Sequence, residues 1–224
     1  MEMRNEELYS RAKDKYMHRT DSDDLREALA IFEQLGDYEG AKGYAERCRT
    51  LLEYQVGNTV TFGSYNGQPI RWRVLDERGK LRMLFAEEIL TERAYNDEIT
   101  DTSWRDCTLR KWLNKEFLSE AFSPKERAAV VSGMVRNPRS AKWFTSGGYD
   151  SMDKVFVLNQ EEFDKYLTDP ADRVKGKWWW LRSPGSNLMS AVAVYDDGTA
   201  YDIGIHVHYA EGGVRPALWV LLRV

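Results

Sequence analysis

The sequence predicts an α+β protein, with an all-helical module at residues 1–53 and a larger mixed domain at residues 54–224. The first 53 residues repeat apolar side chains only at the spacing of helices. From residue 54 onward, strand-like alternation comes first, short helices follow in the middle, and strands return at the end. Of the 224 residues, 42% are hydrophobic and eight are tryptophan, which supplies enough apolar surface for a packed core.

Three helices are expected in the N-terminal module. Asp21 or Ser22 can cap the second helix, Gly36 ends it, and Asp37 can cap the third. The pattern of the second and third helices resembles one tetratricopeptide-type unit: Ala28-x-x-Ile31-Phe32-x-x-Leu35-Gly36-Asp37-Tyr38-x-x-Ala41. Such units are stable in stacks of about three or more. A single unit is therefore expected to dock on its neighbouring domain or on another chain.

The mixed domain is expected to open with two strands, at 56–63 and 70–75. Asn66 and Gly67 between them tolerate the positive φ of a tight hairpin turn. A third strand is expected at 81–86, because its residues are a short apolar run.

Helices are expected in the middle of the mixed domain. Ser103 is expected to start one that places Trp104, Thr108 and Trp112 four residues apart, and Ser123 can cap another. The pattern then predicts a short strand at 155–158, a helix at 160–167, and strands and turns to the end.

Composition excludes several classes of function. A net charge of −4 and a pI near 5.6 argue against binding to nucleic acid or to anionic membranes. No apolar run approaches the roughly 18 residues that span a bilayer, and the first residues lack the apolar segment of a signal peptide. Cys48 and Cys107 are too few for a disulfide framework. We therefore expect a cytoplasmic protein with reduced thiols and no cofactor.

Segment 186–209 is predicted to carry a binding surface. Alternation predicts two strands that bury the β-branched side chains of Val192, Val194, Ile203, Ile205 and Val207 on one face. The candidate ligand-binding residues are Asn187, Met189, Tyr195, Tyr201, Asp202, His206 and His208. Tyrosine gives a large contact area and the polar residues adaptable hydrogen bonds. The alternative is an ordinary sheet face exposed to solvent.

Two rigid, tryptophan- and glycine-rich stretches bracket this segment, at 178–185 and 212–218. The residues expected to have structural roles in the domain are Trp104, Trp112, Trp180, Arg182 and Arg215. A buried arginine has to be paired, because an isolated buried charge costs several kcal/mol. The expected carboxylate partners are Asp153, Glu161 and Glu162.

A zinc site is a weaker alternative for part of this segment. His206, His208 and Asp202 share one predicted strand face, and two imidazoles with a carboxylate can hold zinc with one open position. Two-residue histidine spacing on a strand arises often by chance, so no metal site is predicted.

The mixed domain resembles an uncharacterised bacterial domain family with a C-type-lectin-like fold. The matching residues occur in the family's order and span almost all of 54–222. They are Phe62-Gly63-Ser64-Tyr65, Ile70-x-Trp72-x-Val74-Leu75, Trp104-x-x-Cys107-x-Leu109-Arg110-x-Trp112-Leu113-Asn114, Asp153-Lys154-Val155-Phe156-x-Leu158-x-x-Glu161-Glu162, Trp179-Trp180-Leu181-Arg182-Ser183-Pro184-Gly185 and Gly213-Val214-Arg215-Pro216-Ala217-Leu218. The domain is more distantly similar to the formylglycine-generating-enzyme branch of that fold, and to variable proteins that bacterial and phage retroelements diversify.

The resemblance implies a non-catalytic module that binds a protein or a small ligand. In the diversified proteins a C-terminal segment varies while the fold is kept, and its exposed side chains bind the target. The resemblance also implies that the strand Thr59–Phe62 pairs with the strand Ala217–Leu222. No binding to nucleic acid and no membrane insertion are expected, whereas a partner can use the N-terminal helices.

Two alternatives remain open at this point. The chain can be an enzyme related to the formylglycine-generating, sulfatase-modifying branch, or a scaffold that binds through its helical module. Those enzymes have paired cysteines, but Cys107 has no second cysteine nearby and lies among tryptophans. A core thiol is therefore expected instead.

Overall fold

The computed structural model describes residues 2–224. The helical module contains α1 (Glu2–Met17), α2 (Ser22–Leu35), a 3₁₀ turn (Tyr38–Gly40) and α3 (Ala41–Glu53). The mixed domain begins with β1 (Thr59–Tyr65), β2 (Gln68–Arg78), β3 (Leu81–Ala86) and β4 (Thr91–Glu92). Its middle part holds α4 (Thr108–Trp112), a π-helical turn (Leu113–Phe117), α5 (Leu118–Ala121), α6 (Pro124–Ala129), β5 (Val130–Val131) and β6 (Gly133–Val135). The remaining elements are β7 (Ser151–Asp153), β8 (Val155–Phe156), α7 (Gln160–Tyr166), α8 (Pro170–Arg173), β9 (Trp179–Pro184), β10 (Ser190–Val194), β11 (Ala200–His206), β12 (Gly213–Val214) and β13 (Ala217–Leu221).

The prediction of an α+β protein with a helical start is confirmed. Asp21 caps α2, because its side chain accepts hydrogen bonds from the backbone N–H groups of Asp23 and Asp24. The expected cap at Asp37 is wrong. The 3₁₀ turn separates Asp37 from α3, whose N-cap is Gly40 with a φ of 79°.

Apolar packing joins the helical module to the mixed domain. Within the module, Phe32 and Tyr44 stack with ring centroids 5.1 Å apart. The buried residues of the module and of the mixed domain belong to one apolar cluster. Arg82 of β3 adds a polar contact, because its Nε donates to the Tyr54 carbonyl directly after α3, at 2.8 Å. The single helical unit therefore has a packing partner in its own chain.

One antiparallel sheet has the strand order β1-β2-β3-β13-β5, and β8 also pairs with β13. The predicted hairpin between β1 and β2 is confirmed, with φ of 50° at Asn66 and 73° at Gly67. The predicted pairing of Thr59–Phe62 with Ala217–Leu222 is wrong. The three-stranded meander leaves β1 at the edge, and β13 pairs with β3 instead.

A second sheet has the order β11-β10-β9-β12-β4, and a separate ribbon consists of β6 and β7. Strands β9 and β10 are buried along their whole length. Strand β11 lies at one edge of this sheet, and its residues are half-buried or exposed.

The helix predicted from Ser103 starts five residues later, at Thr108. Ser103 instead closes a turn, because its carbonyl accepts hydrogen bonds from the N–H groups of Asp106 and Cys107. Cys107 is the N-cap and has extended backbone angles, so Trp104 lies outside the helix.

No helix within residues 2–224 combines the length and the apolar character needed to cross a membrane.

Candidate functional site

The predicted binding residues lie on and around the edge hairpin of the second sheet. These are Asn187, Met189, Tyr195, Tyr201, Asp202, His206 and His208. Together with Ile203 and Tyr209, which were not among the predicted binding residues, we call them the hairpin surface. Its members occupy the turn before β10, the loop after it, β11, and the turn that follows β11. Strand β10 lies between β11 and the rest of the sheet, and all five of its residues are buried.

The expected alternation of buried and exposed side chains on β11 is wrong at Ile203, which is 42% exposed. Ala191 pairs with Ile205 and Ala193 with Tyr201, so one residue of β10 lies opposite three residues of β11. This bulge changes which way the side chains point. Gly204 permits it with a φ of 87°, and a Cβ there would lie 2.8 Å from the Ala191 carbonyl oxygen.

Two tyrosines form one end of the hairpin surface. The rings of Tyr195 and Tyr201 stack with centroids 4.8 Å apart and planes 20° apart. Burial, and then the neighbouring Tyr201, raise the pKa of Tyr195 above its ordinary value. Both rings are half-buried, so they present a fixed aromatic surface to solvent.

Two histidines and a tyrosine form the other end. The rings of His206 and His208 lie 5.9 Å apart, and Tyr209 contacts both, with centroids 6.0 Å from His206 and 4.8 Å from His208. The Nδ1 atom of His208 is buried and makes no hydrogen bond within the described residues.

The zinc alternative has no support in this geometry. Asp202 is directed to Lys142, whose Nζ lies 2.8 Å from the carboxylate. Among residues 2–224, no group of three histidine, cysteine or acidic side chains is placed to hold a metal ion.

The sheet beneath the hairpin surface is tightly packed. Trp180 is fully buried and its Nε1 donates to the Arg93 carbonyl at 2.8 Å. A Cβ at Gly212 would lie 1.9 Å from the same Nε1, so only glycine fits there. Trp104 and Trp112 are buried as well.

The ion pair expected for Arg182 is confirmed. Its Nη1 and Nη2 bind the two carboxylate oxygens of Glu162 at 2.5 and 2.9 Å, and Nη1 also donates to the Val157 carbonyl at 2.7 Å. This arginine therefore ties β9 to α7 and to the end of β8.

The prediction that Arg215 pairs with the carboxylate of Asp153, Glu161 or Glu162 is wrong. Arg215 donates to the carbonyl oxygens of Ala86, Glu87 and Asp172 at 2.9–3.2 Å. It also lies over two aromatic rings, those of Phe85 and Trp179. Asp153 binds Arg110 and the Trp104 indole N–H instead. Burial lowers the pKa of Arg215 to about 9, which leaves the guanidinium charged at neutral pH.

The structure confirms Cys107 as a core thiol. Its side chain is fully buried, donates to the Trp104 carbonyl at 3.2 Å, and accepts from the Arg110 N–H at 3.4 Å. Burial raises the pKa of Cys107 to about 12 and that of Cys48 to about 11. A thiol in this state is a poor nucleophile at neutral pH.

We therefore expect Cys107 to be unreactive towards a thiol reagent at pH 8 until the protein unfolds. Cys107→Ala is expected to cost about 1–2 kcal/mol of packing. Above pH 9 an unfolded thiol ionises while the folded one keeps its proton, so the free energy of unfolding falls as the pH rises towards 12. Thiol labelling of a Cys48→Ala variant measures Cys107 alone, and rapid labelling of its folded state would contradict this expectation.

Sequence reasoning missed a pocket beside the two stacked tyrosines. It has a volume of about 410 Å³ and is lined by Glu92, Gly176, Lys177, Trp178, Tyr195, Asp196 and Glu211. We call these residues the aromatic-acidic pocket. The pairing of the two-residue strands β4 and β12 brings Glu92 to it. Strands so short leave no alternation that could have predicted this contact.

A second groove, of about 400 Å³, lies away from the hairpin surface. It runs along β6 and α7 and has Met83, Phe156 and Trp219 among its apolar lining. Two of its carboxylates, Asp153 and Glu162, are already bound by arginines.

Comparison with known proteins gives one family. Neither the curated proteins nor the solved structures contain a significant match to this chain. One family model, described as a domain of unknown function (DUF6273), matches residues 80–222. The matched segment begins within the β2–β3 hairpin and ends one residue after β13, so it contains both sheets apart from β1 and β2 and includes the whole hairpin surface. The chain belongs to the DUF6273 family.

Proposed function

We propose that this protein is a non-catalytic binding module that captures a protein or a small ligand on its hairpin surface. One observation carries the proposal. Exposed aromatic and apolar side chains lie on an edge hairpin whose inner strand, β10, is buried throughout. Side chains on such an edge can contact a partner, and the packing of the domain core does not depend on them.

The types of side chain on the hairpin surface support binding. Met189, Ile203 and Tyr209 are 37%, 42% and 45% exposed. Aromatic residues and methionine are enriched in the buried centres of protein–protein interfaces. An exposed strand edge also offers unpaired backbone groups to a partner.

The proposal includes a C-type-lectin-like fold and diversification of the C-terminal segment by a retroelement. The fold is supported by the pairing of β3 with β13, which brings the two ends of the matched segment together, although the strand beside β13 is not the β1 that the resemblance implied. A nearby reverse-transcriptase gene and a near-repeat of the codons for residues 183–214 are the genomic observations that test the retroelement. We also propose a cytoplasmic location, which suits two buried, unpaired cysteines.

The experiment compares two double variants of the full chain. Tyr195→Ala with His206→Ala is expected to abolish capture of a partner that the unmodified protein retains. It should lower the free energy of unfolding by no more than about 1.5 kcal/mol, the value of one aromatic pair. Affinity and thermal unfolding are both measured on the purified variant.

The matched control is His18→Ala with Met134→Ala, since both side chains are exposed and lie outside the hairpin surface. The control is expected to capture the partner like the unmodified protein. Normal capture by the Tyr195→Ala, His206→Ala variant would overturn the proposal.

A further inference from the structure

We propose that the aromatic-acidic pocket binds a cationic side chain, a lysine or an arginine, presented by the partner. The inference rests on the proposed function, because Tyr195 belongs both to this pocket and to the hairpin surface. It adds the chemical class of the group that this end of the surface recognises.

Strand pairing places the two aromatic walls of the pocket side by side. Val194 of β10 pairs with Trp179 of β9, and the strands are antiparallel, so Tyr195 follows and Trp178 precedes the same pair. Both side chains are half-buried and line the pocket.

Each wall is held by a second aromatic ring. Trp178 packs edge-on against the buried Trp180, with ring centroids 4.7 Å apart and planes 89° apart. Tyr195 stacks on Tyr201. The walls are therefore fixed before a ligand arrives, which limits the ordering cost of binding.

The charges around the pocket are mostly negative. Glu92, Asp196 and Glu211 are carboxylates, and Lys177 is the one cation of the lining. Lys177 forms a close ion pair with Glu92. Asp196 and Glu211 make no hydrogen bond or ion pair with any other side chain among residues 2–224, so two carboxylates remain uncompensated.

Electron-rich ring faces together with free carboxylates select a cation. An ammonium or guanidinium group is attracted to a tryptophan or tyrosine face within about 6 Å of the ring centroid. The apolar stem of lysine or arginine suits the same walls. An anion would meet the two free carboxylates, and a metal ion has no suitable group of ligands among the described residues. A basic side chain satisfies both features of the pocket.

The test titrates the 224-residue protein with three capped tripeptides that carry lysine, norleucine or glutamate between two glycines. Binding is followed by tryptophan fluorescence and by NMR, at low salt and in 0.5 M salt (roughly a 4 Å Debye length). We expect the lysine peptide to bind at least about tenfold more tightly than the other two, and to weaken in high salt. Asp196→Asn with Glu211→Gln should remove that preference, and Tyr195→Ala should weaken the lysine peptide by about tenfold.

The matched control is Glu120→Gln with Asp164→Asn, which removes the same charge from exposed carboxylates outside the pocket. It should bind the lysine peptide like the unmodified protein. Equal binding of the lysine and norleucine peptides, or unchanged binding by Asp196→Asn with Glu211→Gln, would overturn the cation pocket.

Failure of this inference can be told from failure of the proposed function. If the peptides do not discriminate while Tyr195→Ala with His206→Ala loses its partner, the binding surface stands and the cation pocket falls. If the lysine peptide is selected while that double variant captures the partner normally, the pocket binds cations but the partner does not use it, and the proposed function falls.

Discussion

Arg215→Ala is expected to lower the free energy of unfolding by about 3–5 kcal/mol, because buried carbonyl oxygens lose a donor and a large buried side chain is removed. The arginine is 1% exposed and donates to three carbonyl oxygens, those of Ala86, Glu87 and Asp172. Its removal leaves these acceptors without a donor and opens a cavity between Phe85 and Trp179. Urea-induced unfolding followed by tryptophan fluorescence measures the loss.

Two further variants separate the contributions to this loss. Arg215→Met keeps most of the apolar stem and removes the donors, so it is expected to fall between the unmodified protein and Arg215→Ala. Arg71→Ala removes an exposed arginine from β2 and should change the free energy of unfolding by less than about 0.5 kcal/mol. A loss at Arg215→Ala no larger than at Arg71→Ala would contradict the expectation.

Arg182→Ala is expected to lower the free energy of unfolding by about 3 kcal/mol, because it breaks the bidentate ion pair between this buried arginine and the half-buried Glu162. The variant also frees the Val157 carbonyl, which accepts from the same guanidinium. Arg182→Lys should recover only part of the loss, since an ammonium group cannot bind both carboxylate oxygens in the same plane. Thermal and urea unfolding measure both variants.

The companion variant Glu162→Gln keeps the shape of the partner and removes its charge. The double variant Arg182→Ala with Glu162→Gln completes the cycle. If the bidentate pair is the main contribution, adding Glu162→Gln to Arg182→Ala should change the free energy of unfolding little. Additive losses in this cycle would show that the carbonyl contacts of Arg182 matter more than the ion pair.

The sequence predicted correctly those turns, strands and helix caps that depend on residues close together in the chain. Asn66 and Gly67 marked the β1–β2 hairpin, and the segment 81–86 matched β3 to the residue. Ser123 caps α6 as expected, in a capping box with Glu126. In each case the determining interaction is made between residues close in sequence.

Contacts between distant residues were predicted less well. The placement of β13 beside β3 rather than β1 depends on the whole meander, and no residue in either strand encodes it by itself. The bulge at Gly204 depends on how β11 meets β10, so period-two alternation gave the wrong side for Ile203. The burial of Arg215 was predicted correctly. Its carbonyl acceptors were not, because every residue has a backbone carbonyl and the sequence does not show which ones lie near the guanidinium.

The candidate site shows the same difference between features formed by neighbouring residues and features formed by distant ones. The sequence pointed to the segment that forms the hairpin surface, because its composition is local. The aromatic-acidic pocket escaped notice, since Glu92, Trp178 and Glu211 come from three separate parts of the chain. Only the paired strands β4, β9 and β12 bring them together.

The position of β13 has a consequence for synthesis of the chain. This strand lies inside the first sheet, between β3 on one side and β5 and β8 on the other, yet it is synthesised after every strand that it pairs with. Until residue 221 has been made, β3 lacks its second neighbour, so the growing chain exposes an unpaired strand edge of the kind that promotes aggregation.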